Sequence, residues 1–320
     1  MVLVYIDHAN GKIKKSSLEA ATYGVQLASK MGTSACAVAL GTIENISKLG
    51  EYGITKVLQC TDARFDSFDA RPIAKAVSEA AISIGANVVV MSFNQNGKAL
   101  GPRLSVRLKA GIIPGASSMV DVSNGFKAKK NVFSGKAIAD CEILTSTKIV
   151  SISPNTIPVA IVGGTCTVDA FNPSLTDADF AIKVRGVEMV KGDIPLSEAD
   201  LVVSAGRGLK GPENWGMIEE CAKILGAATA CSRAVADVHW RPHHEHVGQT
   251  GLAISPNLYI AVGISGAIQH LAGVSSSKTI VVINTDPEAP FFKAADYGVI
   301  GDAMEVVPKL NIALKKLKAG

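Results

Sequence analysis

Short apolar runs alternate with segments of helical periodicity at the start of the chain. Buried-strand runs occur at Val2–Ile6, Ala35–Leu40, Lys56–Gln59 and Val88–Met91. Between the first two runs, apolar residues recur at helical spacing up to Gly32. This βαβα alternation predicts a parallel sheet covered by helices.

Two local signals place the predicted helices. Ser16-Ser-Leu-Glu19 has the spacing of a capping box and predicts the start of the first helix. A second helix is predicted from Pro72 to Gly85, and a third follows the polar turn Asn94-Gln-Asn-Gly-Lys98. That turn and the arginines after it could bind a phosphate, but a solvated helix face explains them more simply.

The hydrophobic pattern changes between Ile112 and Val190, where helical periodicity is scarce. Short β-rich runs replace it, at Asn131–Phe133, Ile149–Ser153, Val159–Val162 and Ile182–Val190. They predict an antiparallel extension of the first sheet. A polar linker near residue 193 then divides the chain into domains at 1–191 and 192–320.

The second half repeats a strand–turn–helix module. We expect five strands, at Leu201–Val203, Ala227–Ala230, Tyr259–Val262, Thr279–Ile283 and Val299–Ile300. Helices are predicted at Pro212–Leu225, at Ala267–Leu271 and from Pro308 onward. The pattern predicts a doubly wound parallel sheet, and most polar clusters follow directly after a strand. Such sheets bind ligands at the carboxyl ends of their strands, so a dinucleotide cleft is expected there.

Composition narrows the class of protein. The chain has 320 residues, 48% of them hydrophobic and 5% aromatic, and a formal net charge of +4. It has no basic block that would suit nucleic acid, no signal-peptide pattern and no apolar run of roughly 18 residues. Its six cysteines form no C-x-x-C pair. We therefore expect reduced thiols in a cytoplasmic protein without a membrane segment.

Each polar cluster of the predicted cleft could have a purely structural role instead of a functional one. Gly263-Ile-Ser-Gly266 is either a phosphate-binding turn or only a tight turn. Arg207 and Arg233 suit a pyrophosphate or a ring system, or they form surface salt bridges. Gln249 and Thr250 suit the polar edge of a ring, or they lie in a plain turn. His270 either faces a ligand or is structural.

Covalent catalysis has no candidate motif in this sequence. The sequence contains no nucleophile-elbow motif, no zinc-protease motif and no P-loop motif. The histidine-rich loop at 239–246 could in principle bind a metal, but it lacks a second ligand set, so no metal site is expected. Abundant binding groups without a catalytic pair favour a cofactor-binding electron carrier over an independent enzyme.

The second domain closely resembles the alpha subunit of electron-transfer flavoproteins. The most specific segment is Val247-Gly-Gln-Thr-Gly251, followed by the stretch from Leu258 to Gly273. Lys278–Asn284 and Ala295–Gly298 extend the similarity. The resemblance implies a nucleotide-hydrolase-like N-terminal sheet domain that pairs with a beta subunit, and a C-terminal domain that binds FAD. It also implies AMP in that beta subunit.

The resemblance further implies a role for each site residue. Arg207 and Ser232 would lie along the phosphates, and Arg233 would lie over the isoalloxazine and raise its reduction potential. Thr250 would lie near N5 and His270 near the O2 edge. The adenosine end would be held by Asn284 and Asp302. The full set implied to bind FAD is Arg207, Ser232, Arg233, Val247, Gly248, Gln249, Thr250, Ser265, Gly266, Ala267, Ile268, Gln269, His270, Asn284, Asp302 and Ala303.

The function implied is electron transfer between proteins. The chain would accept electrons from flavoprotein dehydrogenases and pass them to a quinone-linked oxidoreductase or another acceptor. One alternative is a subunit of an electron-bifurcating complex with a second FAD. Another is an NAD-dependent transferase, which would need a catalytic lysine or histidine aimed at the nicotinamide.

Overall fold

The computed structural model describes residues 1–133, 135–186 and 194–319, which form two compact units. The first unit comprises residues 1–131 and 138–186. The second comprises residues 194–319 together with 132, 133 and 135–137. The boundary that the sequence predicts between residues 191 and 192 lies outside the described residues, so it stays a prediction.

A mostly parallel sheet forms the first unit. Its strands, including a small antiparallel ribbon of β2 and β3, are β1 (Val2–Ile6), β2 (His8–Ala9), β3 (Lys12–Ile13), β4 (Ala35–Leu40), β5 (Lys56–Cys60), β6 (Val88–Ser92), β7 (Gly111–Ala116), β8 (Lys127–Val132), β9 (Ala137–Glu142), β10 (Lys148–Ile152) and β11 (Thr167–Ala170). The order in the large sheet is β11-β5-β4-β1-β6-β10-β7-β8-β9. Neighbours from β11 to β7 are parallel, and β8 is antiparallel to β7.

Helices cover both faces of this sheet, because alternate residues of each strand point to opposite sides. The helices are α1 (Lys15–Lys30), α2 (Ala70–Ser83) and α3 (Gln95–Leu108). On one face Val4 packs with Leu27 of α1. On the other face Leu3 packs with Val77 of α2 and Leu100 of α3. Full burial of side chains of this size stabilises the fold by about 1.5–3 kcal/mol each.

The antiparallel extension is confirmed, but it is narrower than predicted. Strand β10 runs parallel between β6 and β7 in the interior of the sheet. Its residues Ile149 and Val150 are completely buried, as is typical of interior parallel strands. Val159–Val162 and residues 182–186 form no strand, and 187–190 lie outside the described residues. The Val162 N–H donates instead to the carbonyl of Glu51 at 2.8 Å.

The capping box predicted at Ser16–Glu19 is wrong. Helix α1 begins at Lys15, so both serines lie inside its first turn. The hydroxyl of Ser17 donates to the backbone carbonyl of Asp7 and accepts from the Asp7 N–H, each at 2.8 Å. The predicted N3 glutamate is buried and accepts from the Asn155 N–H at 2.9 Å. Both side chains therefore tie the helix to other segments instead of capping it.

The second unit is a doubly wound parallel sheet, as the sequence predicts. Its strands are β12 (Leu201–Ala205), β13 (Ala228–Cys231), β14 (Leu258–Val262), β15 (Thr279–Asn284) and β16 (Tyr297–Ile300). Its helices are α4 (Gly216–Leu225), α5 (Arg233–Ala236), α6 (Ile268–Val274) and α7 (Ala303–Ala319). The spatial order is β13-β12-β14-β15-β16, with every neighbouring pair parallel.

The two faces of this second sheet are packed by different elements. Helices α4 and α7 pack on one face, where Ile218 and Val307 meet Val203. Helix α6 and the loop before β14 pack on the other, where Val247 and Val274 meet Tyr259. Helix α7 begins at Ala303 and contains Pro308, because the Asp302 carboxylate accepts from the Met304 N–H at 2.9 Å and caps the helix earlier than predicted.

Candidate functional site

The strand order of the second unit reverses direction between β12 and β14, and the chain forms two glycine turns there. Gly206 and Gly208 follow β12, and Gly263 follows β14. A Cβ at Gly208 would lie 2.6 Å from the Cα of Gly263, and one at Gly206 would clash with the Gly263 carbonyl. Only glycines allow the two turns to approach so closely. This reversal at the carboxyl ends of parallel strands is where α/β sheets bind ligands.

The turn after β14 presents free backbone donors. The N–H groups of Ser265, Gly266 and Ala267 donate to no carbonyl in the described structure. The Ser265 side chain is exposed, while its carbonyl accepts from the Phe291 N–H at 3.1 Å. Ile268 and Gln269, the first residues of α6, are exposed beside them. Free amides next to a hydroxyl suit the oxygens of a phosphate.

The loop at 247–251 is fixed against α6. The Gln249 N–H donates to the Gln269 carbonyl at 2.7 Å. A Cβ at Gly273 would lie 2.5 Å from the Cα of Gly248, so the helix and the loop are in backbone contact. The Val247 side chain is buried in the core below, whereas Gln249 and Thr250 are exposed. The structure thus brings the two predicted site segments together.

The two arginines differ in their partners. Arg207 is exposed and forms no salt bridge among the residues described here. Arg233 is also exposed, and its Nε donates to Asp237 at 3.2 Å. An exposed pair of this kind contributes roughly 0–1 kcal/mol, so it leaves the guanidinium available to a ligand. Ser232, at the N-terminal end of α5, is partly exposed next to it.

His270 is a buried histidine at the edge of the site. Its side chain is 7% exposed, and its Nε2 lies 2.8 Å from the hydroxyl of Tyr259. The ring also contacts Phe291 edge-on, with centroids 5.7 Å apart. Burial lowers the pKa of His270 to about 4, with a smaller contribution from His246. The imidazole is therefore neutral near pH 7 and can act as a hydrogen-bonding group, not as a cation.

The residues predicted for the adenosine end are engaged in local contacts. The Asn284 amide donates to the Ile264 carbonyl at 3.0 Å. Asp302 accepts from Lys210 at 2.9 Å, and this pair connects the start of α7 to the turn that carries Arg207. The assignment of these two residues to adenosine stays a prediction. Ala303, also predicted to bind the cofactor, is buried in the core.

The histidine-rich loop is held by an arginine. Arg241 binds the carboxylates of Glu219 and the buried Glu245, and its guanidinium lies 5.4 Å from the centroid of the Trp215 ring. Throughout the described ranges, no group of three metal-ligating side chains comes together. These contacts of Arg241 fix the loop that leads into Val247, so the loop has a structural role.

The polar turn of the first unit is explained by internal contacts. Asn94 caps α3 by accepting from the Gly97 N–H at 2.9 Å, and its amide donates to buried Asp7 at 2.8 Å. Lys14 binds the same carboxylate at 2.8 Å. The arginines of α3, Arg103 and Arg107, are exposed. These contacts agree with the simpler interpretation made from the sequence.

Comparison with known proteins identifies the family. The family described as Electron transfer flavoprotein domain matches residues 2–176, and the Electron transfer flavoprotein FAD-binding domain matches residues 195–275. The electron transfer flavoprotein subunit alpha of Thermoanaerobacterium thermosaccharolyticum is 35% identical over 99% of this chain and 98% of its own length. That of Syntrophomonas wolfei is 36% identical over 98% of both chains. This chain belongs to the electron transfer flavoprotein alpha-subunit family.

A third relative, Protein FixB of Clostridium saccharobutylicum, is 34% identical over 99% of this chain and 96% of its own. The family resemblance predicted from the sequence is confirmed. Its FAD-binding domain makes FAD the cofactor of this flavoprotein and gives it a role in electron transfer. Within the described ranges, no helix combines the length and apolar character needed to cross a bilayer.

The site suits FAD on its own geometry. It has free amides and arginines for a pyrophosphate, and exposed amide and hydroxyl side chains for a ring or its ribityl chain. Most predicted contacts, from Arg207 to His270, fall inside the matched segment 195–275, whereas Asn284, Asp302 and Ala303 lie beyond it. Sequence reasoning missed Tyr259 and Gly273. A tyrosine inside a buried strand should have been a signal, because its hydroxyl needs a partner.

Proposed function

We propose that this chain is the FAD-carrying subunit of a heterodimeric electron carrier, paired with an electron-transfer flavoprotein beta subunit that holds AMP. Electrons reach it from flavoprotein dehydrogenases and leave to a quinone-linked oxidoreductase or another acceptor. The supporting observation is that free amides, two exposed arginines and the exposed Gln249 and Thr250 meet at one sheet edge inside the region that matches the FAD-binding family.

The residues divide by the part of the cofactor that they would hold. Arg207, Ser232 and the turn Ser265–Ala267 bind the phosphates, and the loop Val247–Thr250 binds the ribityl chain and ring. Bound FAD supplies an isoalloxazine that accepts and releases electrons. Arg233 places a positive charge beside that ring, and His270 offers it a hydrogen bond. Asn284 and Asp302 complete the adenosine end.

We propose a carrier that turns over no substrate of its own. His270 could serve as a general base, but it is buried and already bonded to Tyr259. General base catalysis needs a group within reach of the substrate and with a pKa near the working pH. The second condition is not met by an imidazole with a pKa of about 4.

We also place the carrier in the cytoplasm. Its six cysteines are all free thiols, and Cys36, Cys60, Cys221 and Cys231 are buried. Burial raises the pKa of Cys221 to about 11 and that of Cys231 to about 12, so these thiols are unreactive. Unpaired cysteines are typical of a reducing compartment.

The proposal is tested by relaying electrons through the purified heterodimer. The pair is mixed with substrate-reduced flavoprotein dehydrogenases, and the flavin absorbance is followed before and after adding a quinone-linked oxidoreductase. We expect bleaching with at least one dehydrogenase and recovery with the acceptor. Heterodimer stripped of flavin serves as the control. A protein that holds NAD and catalyses group transfer without bleaching would contradict the proposal.

Counting nucleotides in the same preparation separates the two kinds of carrier. One FAD and one AMP per pair supports a simple shuttle. A second FAD in place of AMP would support an electron-bifurcating complex instead.

A further inference from the structure

The hydroxyl of Tyr259 is the partner of the cofactor-site histidine. Tyr259 lies in β14, is completely buried, and its hydroxyl is 2.8 Å from Nε2 of His270. A buried phenol without a hydrogen-bond partner destabilises the core, so this hydroxyl needs the contact with His270. The two side chains must share one hydrogen, and its position decides which ring nitrogen of His270 carries a proton.

The burial of Tyr259 indicates the direction of that hydrogen bond. Within the described residues, Nε2 of His270 lies at hydrogen-bonding distance from the Tyr259 hydroxyl, whereas the buried Ser204 hydroxyl forms no hydrogen bond. A buried phenol O–H needs an acceptor, and Nε2 is the acceptor within its reach. The phenol O–H therefore points to His270 and donates to Nε2. A neutral imidazole that accepts at Nε2 carries its hydrogen on Nδ1.

Neighbouring rings hold the two side chains in this arrangement. Phe291 stacks on Tyr259, with centroids 6.2 Å apart, and meets His270 edge-on. The imidazole is thus packed on its sides while Nδ1 makes no hydrogen bond within the described residues. Nδ1 is the nitrogen left over for a ligand.

We propose that Tyr259 is a positioning residue for the cofactor site, donating to Nε2 of His270 and thereby fixing the Nδ1–H tautomer as the donor to the bound flavin. This inference rests on the proposed place of His270 beside the ring. It agrees with the low pKa of His270, since burial keeps the imidazole neutral and the adjacent His246 adds to that effect. A neutral ring has one N–H donor, and Tyr259 determines which nitrogen carries it.

Nitrogen NMR of histidine-labelled, FAD-loaded heterodimer tests the proposal directly. His270 is assigned by comparison with His270→Gln, and its two nitrogen shifts report which one is protonated. We expect a single tautomer with hydrogen on Nδ1. In Tyr259→Phe, which keeps the packed ring, we expect a mixture of tautomers. We also expect the dissociation constant of FAD to be roughly fivefold higher in Tyr259→Phe than in the wild type, which is the effect of losing one neutral hydrogen bond.

Tyr297→Phe is the matched control, because that hydroxyl is in the same unit but its side chain is 67% exposed. It should leave the His270 shifts, the FAD affinity and the flavin reduction potential unchanged, whereas Tyr259→Phe should change all three. A wild-type His270 protonated on Nε2 would overturn the proposal, and this needs no variant to fold. Unchanged nitrogen shifts in Tyr259→Phe would overturn it as well. The nitrogen shifts of His270 report its tautomer whether or not FAD is bound. A failure of this proposal is therefore distinguishable from a failure of the proposed function.

Discussion

At the residue scale, the proposed FAD site contains one exposed and one buried polar side chain. Arg233 is exposed and weakly paired, so its charge remains available to whatever binds beside it. His270 is buried, neutral and engaged by Tyr259. The first can tune a charge on the cofactor, whereas the second can only offer a hydrogen bond. Each side chain gives a separate prediction.

Arg233→Ala is expected to lower the reduction potential of bound FAD while FAD stays bound. Reduction adds negative charge to the ring, and a nearby cation stabilises that charge. An interaction on the order of 1 kcal/mol corresponds to roughly 40 mV for one electron. A potentiometric titration of the heterodimer measures the shift. Arg107→Ala, on the exposed face of α3, is the control. Equal potentials for wild type and Arg233→Ala would remove Arg233 from the surroundings of the ring.

The lowered pKa of His270 makes the free energy of unfolding of the second unit depend on pH. Its pKa is lowered to about 4, below the value of about 6.5 in an unfolded chain, so the unfolded state binds the extra proton. The contribution is complete above about pH 6.5 and is lost as the pH falls toward 4. By pH 5 the loss reaches about 2 kcal/mol.

Urea unfolding at pH 8 and pH 5 measures this loss. Both tryptophans of the chain, Trp215 and Trp240, lie in the second unit, so their fluorescence reports on it. His270→Gln should reduce the pH dependence without abolishing it, because burial also lowers the pKa of His246. Exposed His244→Gln is the control. An identical pH dependence in wild type and His270→Gln would show that His270 is not held neutral.

At the element scale, the loop at 247–251 and helix α6 act as one piece. They are joined by the hydrogen bond from Gln249 to Gln269 and by the contact between Gly248 and Gly273. Because the predicted ring contacts lie on the loop and the phosphate contacts precede the helix, this contact sets the spacing between two parts of the FAD site.

Gly273→Ala is therefore expected to weaken FAD binding and to destabilise the second unit. Its new Cβ would lie 2.5 Å from backbone atoms of Gly248, and relieving such overpacking costs about 1–3 kcal/mol. Gly216→Ala is a matched control: it changes another helical glycine of the same unit, where a Cβ meets nothing within 4 Å. The control should be neutral or stabilised by up to about 1 kcal/mol. Thermal unfolding and FAD retention distinguish them, and equal behaviour of the two variants would contradict the proposed packing.

Elements of this kind could be predicted from the sequence only in part. The strands of the second sheet were predictable because buried apolar runs alternate with helical periodicity, and the turn at Gly263–Gly266 follows directly from that pattern. The contact of Gly273 with Gly248 and the bond of Tyr259 to His270 were not predictable. They join segments that are distant along the chain, and periodicity carries no information about which segments meet. For the same reason, the capping box at Ser16 failed when Ser17 found a partner at Asp7.

At the scale of the whole molecule, the chain has two α/β units, and the proposed FAD site lies in the second. The first unit has a switch point of its own, between β1 and β6, but Asp7 there is already bound by Lys14 and Asn94. The polar groups at that point are therefore engaged in internal contacts. The FAD-binding family matches residues 195–275, within the second unit, and pairing of the first unit with a beta subunit stays a proposal.

The central claim is that this chain carries FAD as an electron carrier in a heterodimer. The most direct measurement is the amount of FAD released per alpha chain from the heterodimer purified without added cofactor, combined with reversible reduction of that flavin. The account predicts one FAD per alpha chain, reduced and reoxidised without loss from the protein. A heterodimer that contains no flavin, or that retains NAD in its place, would contradict it.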